Sequence, residues 1–279
     1  MATVSLGDLE LDYSDQGAGP AIVLQHGPMM DGSVFDPVVA DLATDHRVVV
    51  PELPLGAHRR PVPDGIDLSP MGLARLIKQF LAALELTDVT FVSNDWGGGL
   101  FVMADGPEPR ISRLVVATTE AYENYPPGRG GKLLMKVAAN RIVLSLFLMP
   151  LRIPALRRSG RLYAEMVRHP IPAELMDRWL EPLLTQAAIR RDLVRMADQV
   201  DPDAMNQATE HLGDIRQPTL VLWTTDSVMM PAEHGPRLAA DIPDATLSTI
   251  DDCGTLISLD QPEAFVRAIR DFLATRADG

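Results

Sequence analysis

Cysteine is almost absent: Cys253 is the only one in 279 residues. That excludes an intramolecular disulfide and any multi-cysteine metal centre, and it points to a reducing compartment. Aromatic residues are also scarce, at 5%, so the core has to be built mainly from aliphatic side chains. Positive charge is in deficit, with 25 Lys and Arg against 38 Asp and Glu and a formal net charge of −13. A field of that sign repels a phosphate backbone, so nucleic acid is not an expected partner. The local exceptions are Arg157, Arg158 and Arg161 near Arg152, and Arg190 with Arg191. Both clusters lie among helical apolar positions and read as solvated helix faces. Long apolar runs are missing as well. The longest, Ile142 to Leu151, falls short of the ~18 residues that span a bilayer and reads as a buried helix or a pocket wall. Met1 to Asp15 lacks the basic start and apolar stretch of a secretory leader, so a cytoplasmic location and no membrane partner are expected.

What is present is ordinary globular material, 46% hydrophobic and 23% charged, long enough for one large α/β unit. Leu9 to Tyr13 alternates like an edge strand. Ala21 to Leu24, Val48 to Val50 and Val89 to Val92 are short apolar runs of the kind buried on both faces of a parallel sheet. Leu114 to Ala117, Thr219 to Trp223 and Thr246 to Ile250 add three more strand signals. Ser69 and Pro70 offer an N-cap and first helical residue before Leu73, Leu76, Ile77, Phe80, Leu81 and Leu84. Further helices are expected near Pro231 and from Pro262. Between Tyr122 and about Asn206 the alternation of strand and helix stops, and prolines punctuate helical segments. The expectation is a doubly wound α/β core at 1–121 and 207–279 with a helical cap inserted at 122–206.

Val92-Ser93-Asn94-Asp95-Trp96-Gly97-Gly98 follows a buried strand and opens a helix, with small residues two before and two after Asp95. A sharp strand-to-helix turn needs that spacing, because larger neighbours would collide as the central residue is pushed above the sheet. The segment resembles the nucleophile elbow of α/β-hydrolases, in the aspartate version of haloalkane dehalogenases and epoxide hydrolases, and the resemblance covers nearly the whole chain. It is most similar to actinobacterial-type hydrolases with Asn-Asp-x-Gly-Gly elbows and a Pro-Leu-Gly-x-His-Arg loop, here Pro54 to Arg59. The resemblance implies an α/β-hydrolase fold with a mostly parallel eight-stranded sheet. It also implies an oxyanion loop at His26-Gly27, a triad acid at Asp226, and an alternative acid position at Glu120.

A carboxylate nucleophile attacks an sp³ carbon and forms an alkyl ester, which water must then hydrolyse with help from a base and two N–H donors. Two departures bear on that second step. Similar sequences place the catalytic histidine directly after the glycine of Asp251-Asp252-Cys253-Gly254, where this chain has Thr255. Losing such a base typically removes about 10²- to 10⁴-fold in rate. Pro28 follows His26-Gly27 where an amide donor is expected, and proline has no N–H. The Trp96 amide would then stand alone, and losing one donor ordinarily costs about 10²- to 10³-fold.

Other candidates surround this constellation. Trp96 can point its indole at a leaving group or pack as a wall, and Tyr122, Tyr125 and Tyr163 can polarise an epoxide oxygen or serve as walls. Met29, Met30, Met229 and Met230 suggest an apolar, adaptable site. His26 reads as structural and His234 as an exposed helix-start residue. His46, His58, His169 and His211 have no metal-ligand spacing, so neither metal nor cofactor is expected. The chemistry expected is action on an apolar small molecule at an electrophilic carbon, epoxide opening ahead of dehalogenation, with Asp95 attacking or acting as base. The alternatives are a lyase, isomerase or cyclase that needs no hydrolytic base, and a ligand-binding protein on a hydrolase scaffold. A homodimer is one assembly left open.

Overall fold

A computed structural model describes residues 1–275. Eight strands form one sheet in the order β1-β2-β4-β3-β5-β6-β7-β8: β1 (Ala2–Leu6), β2 (Leu9–Gln16), β3 (Ala21–Gln25), β4 (Arg47–Pro51), β5 (Val89–Asp95), β6 (Ile111–Thr119), β7 (Thr219–Trp223) and β8 (Ala245–Thr249). β2 pairs antiparallel with β1 and β4, and the remaining pairs are parallel. β3, β5 and β7 are buried along their whole length, as the apolar runs Ala21 to Leu24 and Leu220 to Trp223 require of strands covered on both faces; β5 buries the polar Thr90, Ser93, Asn94 and Asp95 as well. β1 has no apolar run of its own and is the one strand without a sequence signal.

Helices α1 (Asp36–Leu42), α2 (Pro70–Ala83) and α3 (Gly98–Ala104) alternate with the first strands. Ser69 caps α2 by accepting from the Gly72 amide at 3.0 Å, with Pro70 at the first helical position. After β6 come only helices until β7: α4 (Gly128–Ala138), α5 (Arg141–Leu148), α6 (Pro154–Arg157), α7 (Ala173–Thr185), α8 (Ala187–Asp198) and α9 (Ala204–Thr209). The expected boundary at 206 falls inside α9. Helix α10 (His234–Asp241) lies between β7 and β8, and α11 (Ile257–Asp260) and α12 (Pro262–Thr275) follow β8.

The apolar stretch Ile142 to Leu151 is in part a pocket wall, with Phe147 and Leu151 bordering a cavity, and in part open. Leu144 and Leu148 are buried, but Ile142, Leu146 and Met149 are 71%, 60% and 59% exposed. Their helix presents only one narrow face inward, and the sequence is apolar on both.

Two buried carboxylates fasten these helices to the core. Asp31, after β3, accepts from Arg178 on α7 at 2.7 Å, from Arg59 at 3.0 Å and from the Ser33 amide at 3.0 Å. Trp179 donates its indole N–H to Ser33 Oγ at 2.9 Å. Burial works to raise the Asp31 carboxyl, but Arg178, Ser33 and Arg59 outweigh it and hold it below its ordinary value. On α8, Asp192 accepts from the Val62 amide at 2.8 Å and faces His58 Nε2 at 3.5 Å, with Arg191 and Arg195 at 3.1 and 3.3 Å. An unpaired buried charge is strongly disfavoured, so each carboxylate fixes where its helix sits.

Candidate active site

The carboxyl ends of β3, β5, β6 and β7 converge, as they do wherever parallel α/β sheets bind ligands. Asp95 is the last residue of β5, with a φ of +69°. That left-handed backbone lets the Trp96 amide donate to the Asn94 carbonyl at 2.9 Å, a tight turn that lifts the Asp95 side chain off the sheet. Room for it comes from two glycines. A Cβ on Gly27 would sit 1.8 Å from Asp95 Oδ2, and one on Gly97 would sit 2.2 Å from Met205 Cε. Asn94 braces the turn from below, donating from Nδ2 to the Ala117 carbonyl at 2.7 Å and the Thr255 carbonyl at 2.8 Å.

Above the turn lies a cavity of about 460 Å³, walled by apolar side chains including Leu55, Leu73, Phe147, Leu162 and Met196. Of the sequence candidates, Asp95, Trp96, Glu120, Pro28, Met29, Tyr125, Tyr163 and Met229 line it. The Asp95 and Glu120 carboxyl groups therefore face a largely apolar space. Burial pushes the Asp95 carboxyl up to about 7, and no donor within the described residues hydrogen-bonds it. Glu120 is raised well above the ordinary glutamate range, first by burial and then by the Asp95 charge, while the Gly97 amide at 3.1 Å acts the other way. Two carboxylates in one low-dielectric site cannot both ionise cheaply, so the pair retains a proton near neutral pH, on Glu120.

The hydrolytic apparatus is not assembled around them. Thr255 is fully buried outside the cavity lining. Its Oγ1 shares a hydrogen bond of 3.0 Å with Ser227 Oγ, which also accepts from the Met229 and Met230 amides. Asp226, expected as the triad acid, is not among the residues lining the cavity. Its Oδ2 accepts from the Asp252 amide at 2.8 Å and its Oδ1 lies 3.7 Å from Arg168, away from the cavity. No histidine lines the cavity. The Trp96 amide expected to remain as oxyanion donor is committed to Asn94. Beyond Pro28, the Met29 amide donates to the Leu55 carbonyl at 2.8 Å.

The other candidates divide. His26 donates from Nδ1 to the Gly27 carbonyl at 2.9 Å and accepts the Leu53 amide on Nε2 at 3.0 Å, which fixes its tautomer; burial lowers its pKa. Tyr163 spends its hydroxyl on the Met29 carbonyl at 2.6 Å, leaving its ring as a wall. Burial pushes the Tyr125 hydroxyl up, as does Glu120, with the Trp96 indole acting in the opposite sense. Tyr122 is a correction: a left-handed backbone, φ +55°, turns it out of the cavity, and its hydroxyl donates to Asp241 at 2.7 Å beneath the Arg237 guanidinium. His234, read as exposed, is buried, with its ring against Tyr122 and Nε2 at 3.4 Å from Glu123. Met30 and Met230 are core residues. Sequence reasoning missed Arg129 and Glu165 as lining residues and took Arg161 only as part of a solvated helix face, yet all three border the cavity. Neither their spacing nor their composition separates them from ordinary helix-surface charges.

An aspartate elbow at the carboxyl end of a mostly parallel, eight-stranded sheet defines an α/β-hydrolase-fold enzyme, and the chain belongs to the alpha/beta hydrolase family, whose model matches residues 22–268. Among its relatives, a 2-hydroxy-6-oxo-2,4-heptadienoate hydrolase from Pseudomonas putida is 27% identical, the match covering 97% of this chain and 95% of that one. A 2-hydroxy-6-oxo-6-phenylhexa-2,4-dienoate hydrolase from Burkholderia cepacia is 26% identical over 96% of this chain and 93% of its own. In fold, the chain is similar to an ancestral haloalkane dehalogenase, with a TM-score of 0.79, 16% identity and full coverage of both chains.

Proposed function

We propose that this enzyme moves protons on an apolar, conjugated small molecule, with Asp95 as base and Glu120 as acid, and does not complete an ester hydrolysis. The observation that carries the reading is the Asp95 carboxyl, raised to about 7 by burial, facing a largely apolar cavity beside the Glu120 carboxyl, with no imidazole among the described lining residues. A base of that pKa is matched to work near neutral pH, and a neighbour that keeps its proton supplies the complementary acid. The helices between β6 and β7 serve as the cap that excludes water. The names of the relatives describe enols conjugated to a ketone. Such compounds pass to their keto form by moving one proton from oxygen to carbon, which needs a base and an acid but no oxyanion hole.

The test uses 2-hydroxy-6-oxo-2,4-heptadienoate as a trial substrate in D₂O. Expected are enzyme-dependent loss of the dienol absorbance, deuterium on carbon and no cleavage fragments, all abolished in Asp95→Asn. Cleavage to two acids by the wild type would sink the reading.

The lifted position of Asp95 favours a second reading, capture of an electrophilic carbon as an alkyl ester that stalls, with epoxides ahead of haloalkanes. Intact-protein mass spectrometry after exposure to an epoxide panel distinguishes it: an adduct lost in Asp95→Asn supports stalled alkylation.

A further inference from the structure

The segment from Gly128 to Arg161 carries eight Lys and Arg and no Asp or Glu, in a chain whose formal net charge is −13. Its apolar residues are unusually open. Ile142, Leu146, Met149 and Ile153, spaced three or four apart, are 71%, 60%, 59% and 55% exposed. Leu133, half exposed, belongs to the same segment and also borders the active-site cavity. Contiguous apolar exposure of this kind marks an interaction surface. Cations frame it. Arg47, Arg59, Arg60, Arg178 and Arg270 elsewhere on the molecule all meet carboxylates within 4 Å. None of the salt bridges among the described residues involves Lys132, Lys136, Arg141, Arg152, Arg161 or Arg190. Arg157 and Arg158 share the single carboxylate of Asp177; burial lowers the Arg190 pKa, and the charges of Arg152 and Arg141 press the same way, so most of the positive charge collected here is not neutralised.

We infer that this face lies on an anionic lipid bilayer, its apolar side chains among the acyl chains and its cations on lipid phosphates, so that apolar substrate enters the cavity from the membrane. Open apolar residues framed by Lys and Arg are the signature of an interfacial helix, and each such cation strengthens attachment about fivefold. Among the described residues no helix is long and apolar enough to cross a membrane. The expectation of no membrane partner rested on that same absence of a spanning run, and lying on a surface needs none. A second copy docked through a two-fold axis would bring this basic segment onto itself, a like-charge pairing that Asp177, already shared by Arg157 and Arg158, does not offset. Nucleic acid would satisfy the cations and strand the apolar stripe. The acidic remainder does not prevent contact, since charges more than ~10 Å from the bilayer are screened in ordinary salt. The surface stands independently of the chemistry at Asp95.

The experiment is sedimentation of the full chain with vesicles of phosphatidylcholine containing phosphatidylglycerol, and with phosphatidylcholine alone. Expected are binding to the anionic vesicles at least tenfold stronger than to the neutral ones, weakened by raised salt, and a further tenfold loss in Leu146→Asp with Met149→Asp. Leu146→Gln, milder at an exposed position, is expected to lose severalfold, with thermal melts confirming that both variants are folded. No binding to either vesicle would overturn the proposal, as would binding that the Leu146 and Met149 variants leave unchanged. A stable dimer in sedimentation velocity that those variants dissolve would assign the face to a second copy. Capture on an immobilised acidic protein without vesicle binding would assign it to a protein partner; either result overturns the membrane.

Discussion

Replacing Asp95 by Asn should make the protein more stable, and increasingly so as pH rises. The Asp95 carboxyl sits at about 7 in the fold, against ~3.9 in an unfolded chain. A folded value above the unfolded one means that the native state holds the proton more tightly. The associated stability is therefore complete below about pH 4 and lost as pH climbs to about 7. About three units at ~1.4 kcal/mol each set the loss near 4 kcal/mol. Water entering the cavity screens part of it, so about 2 to 4 kcal/mol is expected. Asparagine carries no such penalty, and its removal of charge also relieves Glu120, whose carboxyl is raised partly by Asp95. In a chain of this size that corresponds to a rise in Tm on the order of 5 °C. Thermal unfolding by circular dichroism at pH 4.5, 6, 7 and 8 should show the variant and wild type nearly together at the acid end and separating above it. Parallel curves, or a variant less stable at pH 8, would refute the claim that burial dominates at Asp95.

If Asp95 is the working base, kcat/KM for the trial dienol rises with pH through about 7, the value set by its burial, and a profile flat from pH 5 to 9 would remove it from that role. Gly27→Ala places a methyl on the Asp95 carboxylate; activity should fall at least about tenfold, since sub-ångström misplacement of a reacting group is costly, and unchanged turnover would mean Asp95 is not used. Asp192→Ala strands His58, the Val62 amide and two arginines, and urea unfolding should report a loss of about 3 to 5 kcal/mol; a loss under 1 kcal/mol would show that α8 is held by other contacts. Thr255→His should not by itself restore ester hydrolysis, because Pro28 offers no amide and the Trp96 amide is held by the Asn94 carbonyl, leaving the oxyanion without donors; steady release of diol from a trial epoxide by the variant alone would show that the missing imidazole was the whole deficit.

The sheet was legible because burial on both faces leaves its mark on the inner strands: Ala21 to Leu24, Val48 to Val50 and Leu220 to Trp223 are apolar runs. β1 was not, since an edge strand exposed at three of its five positions, with only Val4 and Leu6 turned to the core, leaves too short a pattern to read. The elbow could be read from spacing alone, because only small neighbours fit that turn. What the sequence could not convey was direction. Tyr122 and Asp226 stand where a site residue belongs, yet one backbone angle and one amide donor turn them away. The same limit explains the stretch from Ile142 to Leu151, where apolar composition says nothing of which face meets the core. Asp31 and Asp192 gave no warning either, for a buried carboxylate and an exposed one are the same letter until their partners from distant segments are known.

The brace from Asn94 to the Thr255 carbonyl has a consequence for how such proteins change. The clasp grips main chain, which every residue possesses, so the loop after β8 keeps its place whatever side chain position 255 carries. The side chain at that position can therefore be exchanged while the scaffold stays assembled, so the fold of the loop and the chemistry it carries are free to change separately.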